Sequence, residues 1–272
     1  MSIKKRTNVR FFIDIRLNHW HAANMKILIC IKQLSDSKDI SRFDAHALEE
    51  AIRLKQEFEN QGIDLAAVDV VTVGPLESSK IIKRAFGIGA DRGYHIVTRD
   101  TGNVSSFETA SKLAVVAKKR SYDLILTGIM SQDLMSGQTG PMLAEILGFP
   151  CVTNVVKTNL TIDDHSIEVE QEMENGFRDC LSIKLPAVLT IQAGINIPRY
   201  PTLSRMLAAG KKEIITFNKA DLFPEEAEPV KARETFVSME YPDKTRSGYL
   251  LEGSLIDKAG ELLSILQEKN LV

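Results

Sequence analysis

The chain has 272 residues, 44% of them hydrophobic and 26% charged, enough to build a full core in one or two domains. Its 34 basic and 36 acidic side chains leave a formal net charge of -2, without the basic excess that a nucleic-acid partner requires. Three scattered cysteines, Cys30, Cys151 and Cys180, form no CxxC pair, and the five histidines form no helical ligand pair, so neither a disulfide frame nor a metal site is expected.

Residues 1–24 are a mixed basic and aromatic leader that ends before a second methionine, Met25. The leader lacks the continuous apolar stretch and small-residue cleavage site of a secretory signal, and no run reaches the roughly 18 apolar residues of a membrane span. It is expected to be an N-terminal extension of a cytoplasmic protein, with the fold proper starting at Met25.

From there strands and helices alternate. Residues 26–32 (KILICIK) read as an apolar strand, and Asp44 is placed to cap a helix reaching about Asn60, with Leu48, Ala51, Ile52 and Phe58 on one face. Residues 65–73 form a second strand, Ser78 or Ser79 opens a helix that Gly87 and Gly89 stop, and residues 94–97 form a third strand. Ser105 or Ser106 caps the next helix, ahead of a strand at 123–127. This order implies a parallel sheet with right-handed crossovers and a ligand crevice at the carboxyl ends of its strands. Lys32, Gln33, Gly74, Pro75 and the loop after Gly128 occupy those ends.

Residues 123–148, DLILTGIMSQDLMSGQTGPMLAEILG, carry the most chemical information. A strand runs into a small-residue loop and then a helix start, for which Pro141 suits the first helical position. Such a start turns free N–H groups and the positive end of the helix dipole toward the loop. Gly137 and Gly140 let a phosphate approach the backbone, and Gln138 and Thr139 add side-chain donors. The stretch matches neither GxxxxGK[ST] nor GxGxxG, so it is not a Walker loop or the usual dinucleotide fingerprint. An ordinary glycine-rich turn is the competing reading.

After Gly148 the pattern turns to strands at 152–159, 167–173, 179–183 and 187–192. Glu168, Glu170, Glu172 and Glu174 alternate onto one side, as on a solvated sheet face. From Ala209 onward the chain reads as a tail, with an acidic linker at 224–229 and an amphipathic helix at 254–269 whose apolar side needs its own core or a partner subunit to pack on.

Five segments in order resemble the electron transfer flavoprotein β-subunit family: KILICIKQ, FDAHALEEAIRLK, TVGP with GIGADRGYHI, GQTGPM, and LPAVLTIQAGINIPRYPTLSRML at 185–207. The resemblance covers nearly the whole chain beyond the leader. It implies a Rossmann-like α/β fold, a mostly parallel sheet flanked by helices and of the adenine nucleotide α-hydrolase-like kind, with antiparallel strands in the second half and a C-terminal extension. The implied division is an extension at 1–24, the nucleotide-binding domain at 25–208 and an arm at 209–272 that packs on an α subunit. The implied nucleotide contacts are Cys30, Ser41, Arg42, Phe43, Asp44, Val73 and the run Gly128, Ile129, Met130, Ser131, Gln132, Asp133, Leu134, Met135, Ser136, Gly137, Gln138, Thr139 and Gly140. A docking loop for a flavin dehydrogenase falls on Ile195, Asn196, Pro198, Arg199 and Tyr200, with Ile195 as its exposed anchor.

The resemblance further implies an electron carrier rather than a stand-alone enzyme: a heterodimer with the α subunit, sharing FAD with it and holding AMP, between an acyl-CoA or related dehydrogenase and a quinone oxidoreductase or similar acceptor. The alternative within the family is a bifurcating member, with a second FAD in place of AMP and NADH oxidation. Outside it stand an ATP pyrophosphatase or adenylating enzyme, whose SGGxDS loop is replaced here by KQLSDSKD, and a non-redox nucleotide-binding protein, which leaves GINIPRYPTL unexplained.

Overall fold

The computed structural model describes residues 25–34, 39–61, 67–98, 105–161, 165–222, 248 and 250–272; the expected leader at 1–24 and the acidic linker at 224–229 lie outside these. The chain divides into a unit of residues 1–235 and one of residues 236–272.

The first unit is built on β1 (Lys26–Cys30), α1 (Arg42–Asn60), β2 (Ala67–Gly74), α2 (Ser79–Ile88), β3 (Arg92–Val97), α3 (Ser106–Arg120), β4 (Leu124–Gly128) and α4 (Thr139–Leu147). β5 (Cys151–Thr161), β6 (Ser166–Glu172), β7 (Arg178–Lys184), β8 (Ala187–Ile191), α5 (Leu203–Ala209), β9 (Ile214–Phe217) and α6 (Lys219–Leu222) complete it. The strands form one nine-stranded sheet in the order β7-β6-β5-β8-β4-β1-β2-β3-β9. β5-β6 and β6-β7 are antiparallel and the other pairs parallel, which is the mostly parallel α/β architecture that the strand–helix alternation implies.

Strand alternation distributes the core between two layers. Ile27, Ile29, Val68 and Val70 pack with α1 and α2 through Leu48, Ile52, Ile81 and Ile82. Leu28, Val71, Tyr94 and Ile125 pack with α3 and α4 through Leu113, Ala117 and Leu143. With helices on both faces, the central strands are apolar at nearly every position, as KILIC is. β6, covered on one side only, buries Ile167 and Val169 while its glutamates face outward. Glu170 there pairs with Lys157 and Arg178, and Glu168 and Glu172 accept from the Asn159 and Gln192 amides on the same solvated face.

Three local expectations need correction. α1 begins at Arg42 after Ser41, and Asp44 lies in its first turn instead of capping it. α4 begins at Thr139, which makes Pro141 the third helical residue instead of the first. β9 extends the sheet beside β3, and Ala209 and Leu222 are buried, so the tail read from Ala209 onward contributes a strand to the sheet.

In the second unit, α7 (Leu255–Glu268) is closed by a capping box. The Ser254 hydroxyl accepts from the Asp257 N–H, and the Asp257 carboxylate accepts from the Ser254 N–H at 3.0 Å. None of the α7 residues is buried. Among the described residues, no helix is long and apolar enough to cross a membrane.

Candidate functional site

β1 is the strand from which the chain winds outward in both directions, to β2 on one side and β4 on the other. At such a reversal the loops leaving neighbouring strands diverge and leave a crevice. A cavity of about 390 Å³ lies there, at the carboxyl ends of β1, β2 and β4.

Its apolar wall is formed by Cys30, Val71, Val73 and Leu113, and Ser78, Thr98, Ser106 and Thr109 add hydroxyls along β2, β3 and α3. Among the described residues, the Thr98 hydroxyl has no hydrogen-bond partner. Burial pushes the Cys30 thiol well above its usual range, with the Asp44 charge adding to the effect, so Cys30 serves as packing and not as a nucleophile.

The third wall is the loop of residues 128–140. Gly140 lets α4 start close against β4 and β8: a Cβ there would lie 2.5 Å from Thr190 Cγ2 and 2.8 Å from Thr127 Oγ1. Gly137 holds φ at +64°, which turns the loop into the helix. Met142 N–H already bonds to the Gln138 carbonyl, and Pro141 has no N–H. Gln138, Thr139 and Gly140 therefore carry the backbone N–H groups that precede the first intrahelical bond, beside the Thr139 and Gln138 side chains in the cavity wall.

Two carboxylates organise the rim. Asp44 accepts from the Lys32 N–H at 2.7 Å and from the Gly128 N–H at 2.9 Å, joining the start of α1 to the ends of β1 and β4. Burial pushes its carboxyl up to about 7, against the pull of those two N–H groups and of the Lys32 ammonium. The Lys32 ammonium donates to Asp133 at 2.6 Å and to Ser131 at 3.2 Å. Burial alone would raise Asp133, but the bonds from Lys32 and Ser131 hold it below the ordinary carboxylate range.

Of the expected nucleotide contacts, Cys30, Asp44, Val73, Gly128, Ile129, Met130, Ser131, Leu134, Ser136, Gly137, Gln138, Thr139 and Gly140 line the cavity. Ser41, Arg42, Phe43, Gln132, Asp133 and Met135 do not. Ser41 is fully buried, and Arg42 is exposed and tied through its N–H to Gln132 Oε1 at 2.9 Å. Ser78, Thr98, Ser106 and Thr109 were not expected: the hydroxyls at helix starts read as caps, and Thr98 directly follows β3 outside any motif. Ser105 is such a cap, accepting from Phe107 N–H, whereas Ser78 instead donates to Gln33.

The second expected site, residues 195–200, follows β8 on the same side of the sheet as α1. Ile195 is half-buried and packs on the core, which corrects its reading as an exposed anchor. The exposed aliphatic is Ile197, at 89%, with Tyr200 at 83% beside it. Gly194 at φ +94° sets the direction of this loop, and composition alone does not reveal which isoleucine it turns outward.

A sequence model described as electron transfer flavoprotein domain matches residues 31–222. The chain is 36% identical over 234 residues to the electron transfer flavoprotein subunit beta of Bacillus subtilis, covering 85% of this chain and 86% of that one. It is 30% identical over 270 residues to the caffeyl-CoA reductase-Etf complex subunit CarD of Acetobacterium woodii, covering 91% and 100%. It is 32% identical over 208 residues to the electron transfer flavoprotein subunit beta of Bos taurus, covering 76% and 77%. With the model matching residues 31–222 and relatives at 30% identity or more covered over most of their length, the chain belongs to the electron transfer flavoprotein β-subunit family.

Proposed function

We propose that this chain, with an α subunit, carries electrons from a flavin dehydrogenase of the acyl-CoA type to a downstream acceptor such as a quinone oxidoreductase, and that its own cavity binds AMP. The carrying observation is the single phosphate cradle at the start of α4. Among the described residues, the backbone N–H groups of Gln138, Thr139 and Gly140 precede the first intrahelical bond, whereas Pro141 has no N–H and Met142 is engaged, so the donors cluster at one point. The Lys32 ammonium that could meet a second phosphate is held by Asp133, which sets a carboxylate at that side. The cavity volume falls at the small end of ligand sites, which favours a mononucleotide.

In this reading Val71, Val73 and Leu113 bury the adenine, and Thr98, Ser106 and Thr109 are within the wall that meets its polar edge and the ribose. Gln138 and Thr139 hold the phosphate and keep the loop of residues 128–140 ordered. The FAD shared with the α subunit supplies the one- and two-electron chemistry. This chain contributes no acid or base to that chemistry; it fixes the nucleotide, packs against the α subunit and presents the loop of residues 195–200 to the dehydrogenase. Its three cysteines are free thiols, in keeping with a reducing compartment such as the cytoplasm.

Purification of the heterodimer followed by nucleotide extraction tests the reading. One FAD and one AMP per heterodimer are expected. Two FAD and no AMP, with NADH oxidation that requires both a high-potential and a low-potential acceptor, would replace it with a bifurcating function.

A further inference from the structure

The loop of residues 195–200 has exposed apolar tips, Ile197 and Tyr200. Its polar stems are bound to α1, on the face of that helix that would otherwise strand buried charge. Glu49 and Glu50 are each 5% exposed, and His46 is 6% exposed. The Glu49 carboxylate receives a two-pronged bond from Arg199, Nε to Oε2 at 2.8 Å and Nη2 to Oε1 at 2.8 Å, and a further bond from the Arg199 backbone N–H at 3.2 Å. Glu50 Oε2 accepts from Asn196 Nδ2 at 2.7 Å, and its Oε1 accepts from the Thr158 hydroxyl at 2.7 Å.

Asn196 is fully defined by this arrangement. Its Nδ2 donates to Glu50 and to the His46 carbonyl at 3.0 Å, so its Oδ1 is the acceptor for His46 Nδ1–H at 3.1 Å. Every polar atom of the Asn196 side chain is thus committed to α1. On the other flank, Arg84 of α2 lies 5.8 Å over the Tyr200 ring and pairs with Asp39. What remains free of these ties is Ile197.

We propose that Glu49 and Glu50 are positioning residues: through Arg199 and Asn196 they set the shape in which the loop presents Ile197 and Tyr200 to the dehydrogenase. The proposal rests on the reading of this loop as the docking element. The physical reason is that buried carboxylates need their donors. Glu49 takes its strongest donors from the loop, and Glu50 takes one from it beside Thr158 and Arg53, so loss of the loop contacts leaves buried carboxylate oxygens short of donors. A planar guanidinium fork on a carboxylate also fixes direction as well as distance, which a hydrophobic contact of the same area does not.

The test uses the heterodimer carrying Glu49→Gln or, as the milder change, Arg199→Lys, which keeps the charge but not the fork. Amide exchange reports the loop, and electron transfer from a medium-chain acyl-CoA dehydrogenase reduced by octanoyl-CoA separates KM from kcat. Exchange at residues 195–200 should quicken about tenfold in Glu49→Gln and less in Arg199→Lys, with exchange in the central strands unchanged. KM for the dehydrogenase should rise about tenfold at constant kcat, because the flavin and the nucleotide cavity are untouched. Wild-type loop exchange in both variants would overturn the proposal, since the loop would then be self-supporting. Faster loop exchange with an unchanged KM would instead overturn the docking reading on which the positioning role depends.

Discussion

Asp44 Oδ1 accepts the backbone N–H of Gly128 at 2.9 Å, at a point where no side chain fits on Gly128. A Cβ there would lie 2.5 Å from that same oxygen, 2.7 Å from Phe43 Cβ and 2.8 Å from Asp44 N. The start of α1 and the end of β4 are therefore in backbone contact, and this contact forms one corner of the cavity.

Gly128→Ala should push α1 and β4 apart at this corner. Two of the three contacts are with a short carboxylate and a backbone atom, which cannot swing away. The expected loss is about 1–3 kcal/mol of stability, read as a lower denaturant midpoint at unchanged slope. Nucleotide content should fall in parallel, since the corner lies in the cavity wall. An unaltered midpoint would show that the corner relaxes freely.

Asp44 also gives the protein a pH signature. Its carboxyl is raised in the folded state to about 7 from an ordinary 3.8, chiefly by burial. Between those values the folded chain binds a proton that the unfolded chain releases, so the contribution is full below about 3.8 and is lost as pH rises through about 7. Asp44→Asn lacks this dependence, and its amide also turns one N–H toward an N–H of Lys32 or Gly128. The variant should be less stable than the wild type at pH 4.5, with the gap narrowing by pH 8. Denaturation midpoints of both proteins across that range check it; a constant gap would place the Asp44 titration in the same range folded and unfolded.

Gln138→Ala with Thr139→Val removes both side-chain donors at the phosphate cradle and leaves the backbone N–H groups. Each donor is worth about 1.5–3 kcal/mol if the acceptor is charged, so AMP affinity should fall by about a hundredfold or more. The fold should survive, because Gln138 is exposed and Thr139 only partly buried. Calorimetric titration with AMP decides the matter, and wild-type affinity in a folded double variant would move the phosphate elsewhere.

The sheet is legible in the sequence because double burial leaves a plain mark. KILIC, AVDVVTVG and LILTG each carry apolar residues onto both faces, and Gly74 and Gly128 end the last two. β9 is not legible: four residues, IITF, follow a charged turn at Lys211, Lys212 and Glu213, and only pairing with β3 makes them a strand. The cavity is half legible. Gly137 and Gly140 identify its phosphate end through the backbone, whereas Thr98 and Thr109 reach it only through the stacking of β3 and α3 around β2. Asp44 is misread as a cap because an acidic residue at a helix start normally serves the helix. Here the two N–H groups it meets belong to Lys32, just past β1, and to Gly128, the last residue of β4, a tertiary demand that local propensity does not encode.

Ile195 and Ile197 separate packing from docking within one loop. Ile195 is half-buried against the core, so Ile195→Ala should cost about 1–2 kcal/mol of stability, less than for a fully buried isoleucine. Ile197 is 89% exposed and flanked by the exposed ring of Tyr200, so Ile197→Ala should leave the denaturant midpoint within about 0.5 kcal/mol of wild type. If the loop docks the dehydrogenase, the same change should weaken that complex by about 1–3 kcal/mol, because an aliphatic anchor counts only when a partner pocket desolvates it. Surface binding measurements against the dehydrogenase, run beside the stability measurements, read both effects. The reverse pattern, with Ile195→Ala silent in stability but damaging to binding, would make Ile195 the contact and its packing on the core incidental.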